Sequence, residues 1–273
     1  MSRFLLLLFS AIFLPSVQAG AQDTVQPGRA DILLKDIRIV GHDWLKYGTA
    51  PASWTWNDAL TAGGIIGGTA GLMFFDERIR DATIRDRRSD LYAASIDLAW
   101  TGNLVIADIA SGLVYFSGLF SGDDHIRVTG RMMGQSLLYS GSVALMLRLL
   151  SGRRWPAANE GAFSFNAFPP DDTYHAFPSG HSVVVFSLAT ILAERIDYWP
   201  VSVLLYGTAI AAGLGRMYLD QHWASDVFLG SALGYTTARF VLAREKQRQS
   251  GNPETSRVTL HPQAGGVMLV VGF

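Results

Sequence analysis

Six long apolar stretches dominate the chain, at residues 59–75, 91–120, 132–147, 182–193, 200–214 and 224–242. Runs of this length and periodicity predict helices, and helices with so much apolar surface must pack on one another. The expected fold is therefore all-α, a bundle of about six helices. Polar punctuation separates the stretches: an Arg- and Asp-rich segment at 76–90, another break at 121–131, a long Gly/Pro/Asn loop at 152–176, and Asp197-Tyr198-Trp199 before Pro200. The 28 glycines among 49% hydrophobic residues fit closely approaching helices, in a membrane or in a tight soluble bundle.

The two ends of the chain differ from this pattern. Arg3, the apolar run 4–14, Pro15 and the small-residue ending Val17-Gln18-Ala19 match a secretory signal peptide over residues 1–19, with an uncleaved anchor as the alternative. Residues 20–56 form a polar lead-in with one short helix expected near 32–40. The helical domain is expected over 57–243. Beyond it, 244–273 reads as a polar tail ending in an extended strand over the apolar run that closes at Phe273.

Composition removes several function classes. A net charge of -1 with no Lys/Arg stripe argues against a nucleic-acid partner. The absence of cysteine excludes thiolate metal centres, thiol nucleophiles and disulfides.

Three local patterns carry chemistry. Pro178-Ser179-Gly180-His181 stands where a loop gives way to an apolar helix, so free backbone N–H groups, the Ser179 hydroxyl and the helix dipole face one point. An anion fits there with His181 beside it as an acid–base group; an ordinary Ser N-cap fits the same four residues. In the second pattern Arg216 is followed by His222 and then Asp226. Four residues apart at a helix start, His222 and Asp226 share a face. The carboxylate could fix the imidazole tautomer and leave the other nitrogen free to attack, or the two could form a structural ion pair. Arg216 could hold phosphate oxygens through its planar fork. The third pattern is Arg148, Arg153 and Arg154 around the exit of the third apolar stretch, which suits an anion or compensation of the helix dipole.

In combination and order these patterns resemble the type 2 phosphatidic acid phosphatase and vanadium haloperoxidase superfamily. Its signature is Lys-x6-Arg-Pro, then Pro-Ser-Gly-His, then Ser-Arg-x5-His-x3-Asp. The second block matches at Pro178 to His181, and the third at Arg216, His222 and Asp226 with Gly215 in place of Ser. Aligning Pro156 with the first block puts Arg148 on the Lys position but Trp155 on the Arg position. The resemblance covers residues 57–243. It implies a phosphatase in which His222 is the nucleophile that forms a phosphohistidine, Asp226 orients it, and His181 protonates the leaving oxygen. Arg148, Arg216, Ser179, Gly180 and one of Arg153 or Arg154 would bind the phosphoryl oxygens, with no metal and no cofactor. A neighbouring arginine, Arg153 first, is expected to replace the contact missing at Trp155. The family also admits a haloperoxidase, and loss of the Arg admits a headgroup-binding protein without turnover.

The implied partners are a membrane and a phosphorylated lipid or polyprenyl pyrophosphate, or small phosphomonoesters for a soluble periplasmic enzyme. Membrane relatives carry the signature at the non-cytoplasmic helix ends. If a signal delivers residue 20 outside and three single spans follow, Arg148 emerges on the wrong side. The sequence then leaves a helical domain wholly in the periplasm, resting on the membrane or free of it, or a six-span protein whose first apolar run is not a working signal. Both readings place the site outside the cytoplasm.

Overall fold

The computed structural model describes residues 28–168, 172–250, 258–263 and 266–271, with backbone alone from residue 258 onward; the signal-like segment 1–19 lies outside them. Nine α-helices run through the described residues: α1 Arg29–Thr49, α2 Trp56–Met73, α3 Asp76–Arg85, α4 Asp90–Ala99, α5 Leu104–Ser121, α6 Asp124–Ser151, α7 Gly180–Ile196, α8 Trp199–Tyr218 and α9 Ala224–Gln249. The all-α expectation holds. Five of the six apolar stretches lie within α2, α6, α7, α8 and α9, with residues 74 and 75 falling just past α2. The sixth, 91–120, breaks at a 3-10 turn, Trp100–Gly102, after which the Asn103 side chain caps α5 by accepting from Ile106 N at 3.1 Å.

The described part of the polar lead-in is largely helical. It holds the 21-residue helix α1, whose buried residues are Asp36 and Asp43 while Leu34, Ile37, Trp44 and Leu45 are exposed. Asp36 pairs with Arg127 and Arg131, and Asp43 with Arg244 at 3.2 Å and Arg248 at 2.7 Å. Ion pairs thus dock α1 on α6 and α9. The segment 76–90 is likewise largely helix α3, with Asp76 and Glu77 in its first turn and Arg85 in its last, the charge order that a helix dipole favours. Helix α9 continues past residue 243 to Gln249, and the tail beyond it pairs β1 Val258–Gln263 with β2 Gly266–Val271 as an antiparallel hairpin.

The main core lies among α6, α7 and α9, where Met132, Met133, Tyr139, Ile191, Ala238 and Val241 are buried together. A second cluster joins α7 to α8 through Val185, Ala189, Leu205, Ala209 and Ala212. Outside these contacts α5 exposes Leu104, Val105, Ile106, Ile109, Leu113, Phe116 and Phe120. Helices α5 and α8 are long and apolar enough to cross a membrane; α2 and α3, bent by 63° at their junction, make a third candidate if taken as one span. Asp97 and Asp108, which interrupt the apolar stretch 91–120, are both exposed.

One end of the bundle gathers the signature residues. Helix α6 ends there at Gly152, α7 begins there at Ser179, α8 ends there after Arg216, and α9 begins there after Trp223. Gly102, just before α5, lies against His181. Asp76, just after α2, reaches Ser225.

Candidate active site

The N-terminus of α7 forms the floor of the site. Ser179 is its N-cap: Oγ accepts from Ser182 N at 3.4 Å and from Ser182 Oγ at 3.0 Å, and its own N–H donates to Asp226 O at 3.0 Å. A Cβ on Gly180 would collide with the Arg148 guanidinium, so glycine here is what lets the cation lie on the helix end. Arg148 comes from the last turn of α6 and donates to Pro178 O from Nε and Nη2, both at 3.2 Å. Gly152 closes that helix at φ 50 and re-aims the chain. Arg216, in the last turn of α8, has a buried Nε with no hydrogen-bond partner among the described residues. Gly215 beside it stands where the family has Ser. A side chain there would run into Ser95 O and Ala99 of α4.

His222 is buried, and its Nδ1 lies 2.7 Å from Ala176 O. A carbonyl oxygen can only accept, so Nδ1 carries the hydrogen and Nε2 holds the lone pair. Burial first, then Arg216 and Arg148, hold its pKa well below the usual histidine value, against the opposing Ala176 bond; it is neutral at pH 7. Burial, again followed by Arg216 and Arg148, pushes His181 down to about 4. Both histidines therefore lie in the field of the same two arginines.

Asp226 departs from its expected hydrogen bond. It stands 3.9 Å from His222 Nδ1, which is too far, because each carboxylate oxygen already has a donor. Oδ2 accepts from Trp223 N at 2.8 Å, and Oδ1 accepts from Arg153 Nη1 at 2.6 Å. Its influence on the imidazole is electrostatic. Burial pushes its pKa up to about 7 in spite of Arg153 and the Trp223 N–H, which pull the other way.

Arg153 does not take over the missing phosphate contact. It is fully buried, and its five N–H groups all have acceptors: Nε donates to Ala162 O at 2.9 Å, Nη2 to Ala162 O at 2.6 Å and Asp76 Oδ2 at 2.8 Å, and Nη1 to Ser225 Oγ at 2.7 Å and Asp226 Oδ1 at 2.6 Å. No donor remains for a phosphoryl oxygen. Arg154, the reserve, stacks over Tyr174 at 4.4 Å and pairs with Glu160 at 3.2 Å, which commits it to the loop. Trp155 packs on the cluster of Ala162, Ala176 and Trp223, an apolar setting for the position where the family has Arg.

The structure thus brings Arg148, Ser179, Gly180, His181, Arg216, His222 and Asp226 to one end of the bundle and turns Arg153 and Arg154 to other work. Asp76, Ser225 and the Ala176 carbonyl are parts that the sequence did not reveal. Helix α3 and the segment after it also clamp the turn between Arg216 and His222. Arg80 donates to both oxygens of Asp220 at 2.6 Å, Arg87 donates to Tyr218 O at 3.0 Å, and Tyr218 donates to Asp86 at 2.6 Å.

Two arginines, a helix N-terminus and a histidine with one unprotonated nitrogen thus meet at one end of the helical bundle. Residues 136–250 match the family model of the PAP2 superfamily. It is similar to a lipid A 1-phosphatase of Porphyromonas gingivalis, 36% identical over 99 residues that cover 34% of this chain and 21% of that protein. A lipid A 1-phosphatase of Rhizobium etli is 31% identical over 107 residues, 38% of this chain and 45% of the relative. A third, from Rhizobium johnstonii, is 32% identical over 101 residues, 36% and 41% respectively. The chain spans less than half the length of each of these relatives. No solved structure gives a significant match.

Proposed function

We propose that the protein is a phosphatase that removes phosphate from a membrane lipid through a phosphohistidine on His222. The observation that carries this reading is the Ala176–His222 hydrogen bond, which leaves Nε2 unprotonated beside Arg148 and Arg216. A phosphoryl group would sit on the α7 N-terminus, its oxygens held by Arg148, Arg216, the Ser179 hydroxyl and the Gly180 N–H. Nε2 attacks phosphorus as the P–O bond to the lipid breaks. His181 gives its proton to the departing oxygen, then takes one from the water that attacks the phosphohistidine, releasing inorganic phosphate and restoring both histidines. The similarity to lipid A 1-phosphatases makes a phosphorylated glycolipid the first substrate to try. Phosphatidic acid, polyprenyl pyrophosphate and a small phosphomonoester complete the panel. The purified protein should release phosphate from a lipid in the panel and be inhibited by vanadate. His222→Ala should remove essentially all turnover; undiminished release by that variant would overturn the mechanism.

The bundle is proposed to sit in a membrane through α5 and α8, with the site at its non-cytoplasmic end. Helix α2 finishes at the site end, so the α1 end of the chain and the site lie at opposite ends of α2. A spanning α2 then puts α1 and the site on opposite faces, which fits an outward site only if residue 28 is cytoplasmic. A cleaved signal fits only a bundle held wholly outside. Because the chain has no cysteine, single cysteines report the sides directly. An impermeant maleimide should label Ala157→Cys in intact cells and Lys35→Cys only after permeabilisation, and carbonate should leave the protein in the membrane. Labelling of both in intact cells with release by carbonate would favour the outside bundle, and labelling of Lys35→Cys alone would reverse the proposed orientation.

A further inference from the structure

Asp226 depends on a buried cluster that reaches outside the segment shared with the family. Asp76, at the start of α3, has both carboxylate oxygens engaged there: Oδ1 accepts from Ser225 N at 3.0 Å, and Oδ2 accepts from Ser225 Oγ at 2.5 Å and Arg153 Nη2 at 2.8 Å. Arg153 lies between Asp76 and Asp226, and the side chains of all three are 0% exposed. Ser225 bridges them, accepting from Arg153 while donating to Asp76. A guanidinium with every N–H bonded cannot rotate, and so Asp226 Oδ1 cannot turn away from it.

We infer that Arg153, held and charge-balanced by Asp76, is a positioning residue that orients the Asp226 carboxylate and favours its ionised form beside His222. The inference rests on the phosphatase reading for its kinetic consequences but not for its electrostatics. Paired with Asp76, Arg153 is neutral overall, so the negative charge of Asp226 stays uncancelled at 3.9 Å from His222 Nδ1. That charge stabilises the positive imidazole that forms as Nε2 bonds to phosphorus. Without Arg153, two carboxylates would share a dry site and Asp226 would take up a proton. Without Asp76, the full cation would hold Asp226 ionised but neutralise it. The other charged or titratable groups around the pair are Arg148 from α6, whose field reaches Asp226, and Arg216 and His181, which act on His222.

The test uses the full chain in lipid nanodiscs and reads Asp226 directly, through the infrared carbonyl stretch of its protonated form, identified by its loss in Asp226→Asn. Arg153→Gln should move this titration up by about one pH unit or more, and Asp76→Asn should move it down by a similar amount. Turnover by Arg153→Gln should fall about tenfold or more with KM within about twofold, and Arg153→Lys, which keeps the charge, should recover part of it. If Arg153→Gln does not fold, Arg153→Lys carries the comparison, with a smaller upward shift. Shifts in the same direction, or an unmoved band in both variants, would overturn the inference. If the parent releases no phosphate from any lipid, the phosphatase reading falls and the infrared titration still decides the role of Arg153.

Discussion

The carbonyl oxygen of Ala176 stands 2.7 Å from His222 Nδ1 and assigns that nitrogen the hydrogen. A covalent phosphoryl group should therefore appear on Nε2. Rapid alkaline quench with denaturant during turnover, which preserves the acid-labile P–N bond, followed by phosphorus–nitrogen NMR, distinguishes the two isomers. An adduct on Nδ1 would mean that the Ala176 bond breaks during turnover and does not set the nucleophile.

The two titrating groups around His222 make a specific pH dependence. On the proposed mechanism, competence needs a proton on His181, whose pKa is about 4, and none on Asp226, whose pKa is about 7. Between these values one requirement improves with pH as fast as the other worsens, so kcat/KM should be flat. Below about 4 it should fall because Asp226 protonates while His181 is already saturated. Above about 7 it should fall because His181 continues to lose its proton while Asp226 is already ionised. The profile, corrected for ionisation of the substrate, checks this; a single optimum above pH 8 would contradict it.

Gly215→Ser restores the family residue and should nevertheless harm this protein. The new side chain meets Ser95 O and Ala99 on α4. Overpacking of this kind costs about 1–3 kcal/mol. Thermal unfolding in detergent should show a lower Tm, and an unchanged Tm would mean that α4 yields freely.

Asp43→Ala should loosen α1. Asp43 is 1% exposed and accepts from Arg244, Arg248 and Gln135, so its removal takes a carboxylate from both arginines, of which Arg248 keeps Glu245 at 3.0 Å. The expected loss is on the order of 2 kcal/mol, less than for a fully buried pair because both arginines keep some contact with water. Hydrogen exchange over residues 29–49 should accelerate, while exchange in α7 stays protected.

Much of this was readable in the sequence because the signals are local. Ser179, Gly180 and His181 are adjacent at a helix start, and Arg216, His222 and Asp226 fall within one turn and the next helix. The apolar runs of α2 and α6 to α9 announced themselves in the same way. Helix α1 did not, because its pattern is inverted: Asp36 and Asp43 face inward to arginines while Leu34, Ile37 and Trp44 face out. The environment of Arg153 was equally hidden. Its partner Asp76 is 77 residues away in the chain, and the acceptor for His222 is a backbone carbonyl, a group that every residue carries.

The clamp made by α3 has a consequence for where this protein can be divided. The segment that matches the family begins at residue 136, yet Asp76 and Arg80 lie well before it and hold Ser225 and Asp220 within it. A fragment cut at that boundary would keep every signature residue and lose the counter-charge of Arg153, which holds one of them. Arg153 would be left facing Asp226 alone, with the Ser225 N–H and hydroxyl deprived of their acceptor. A chimera that carries the shared segment into a related bundle therefore has to carry residues 76–87 as well, or supply a carboxylate at the same place.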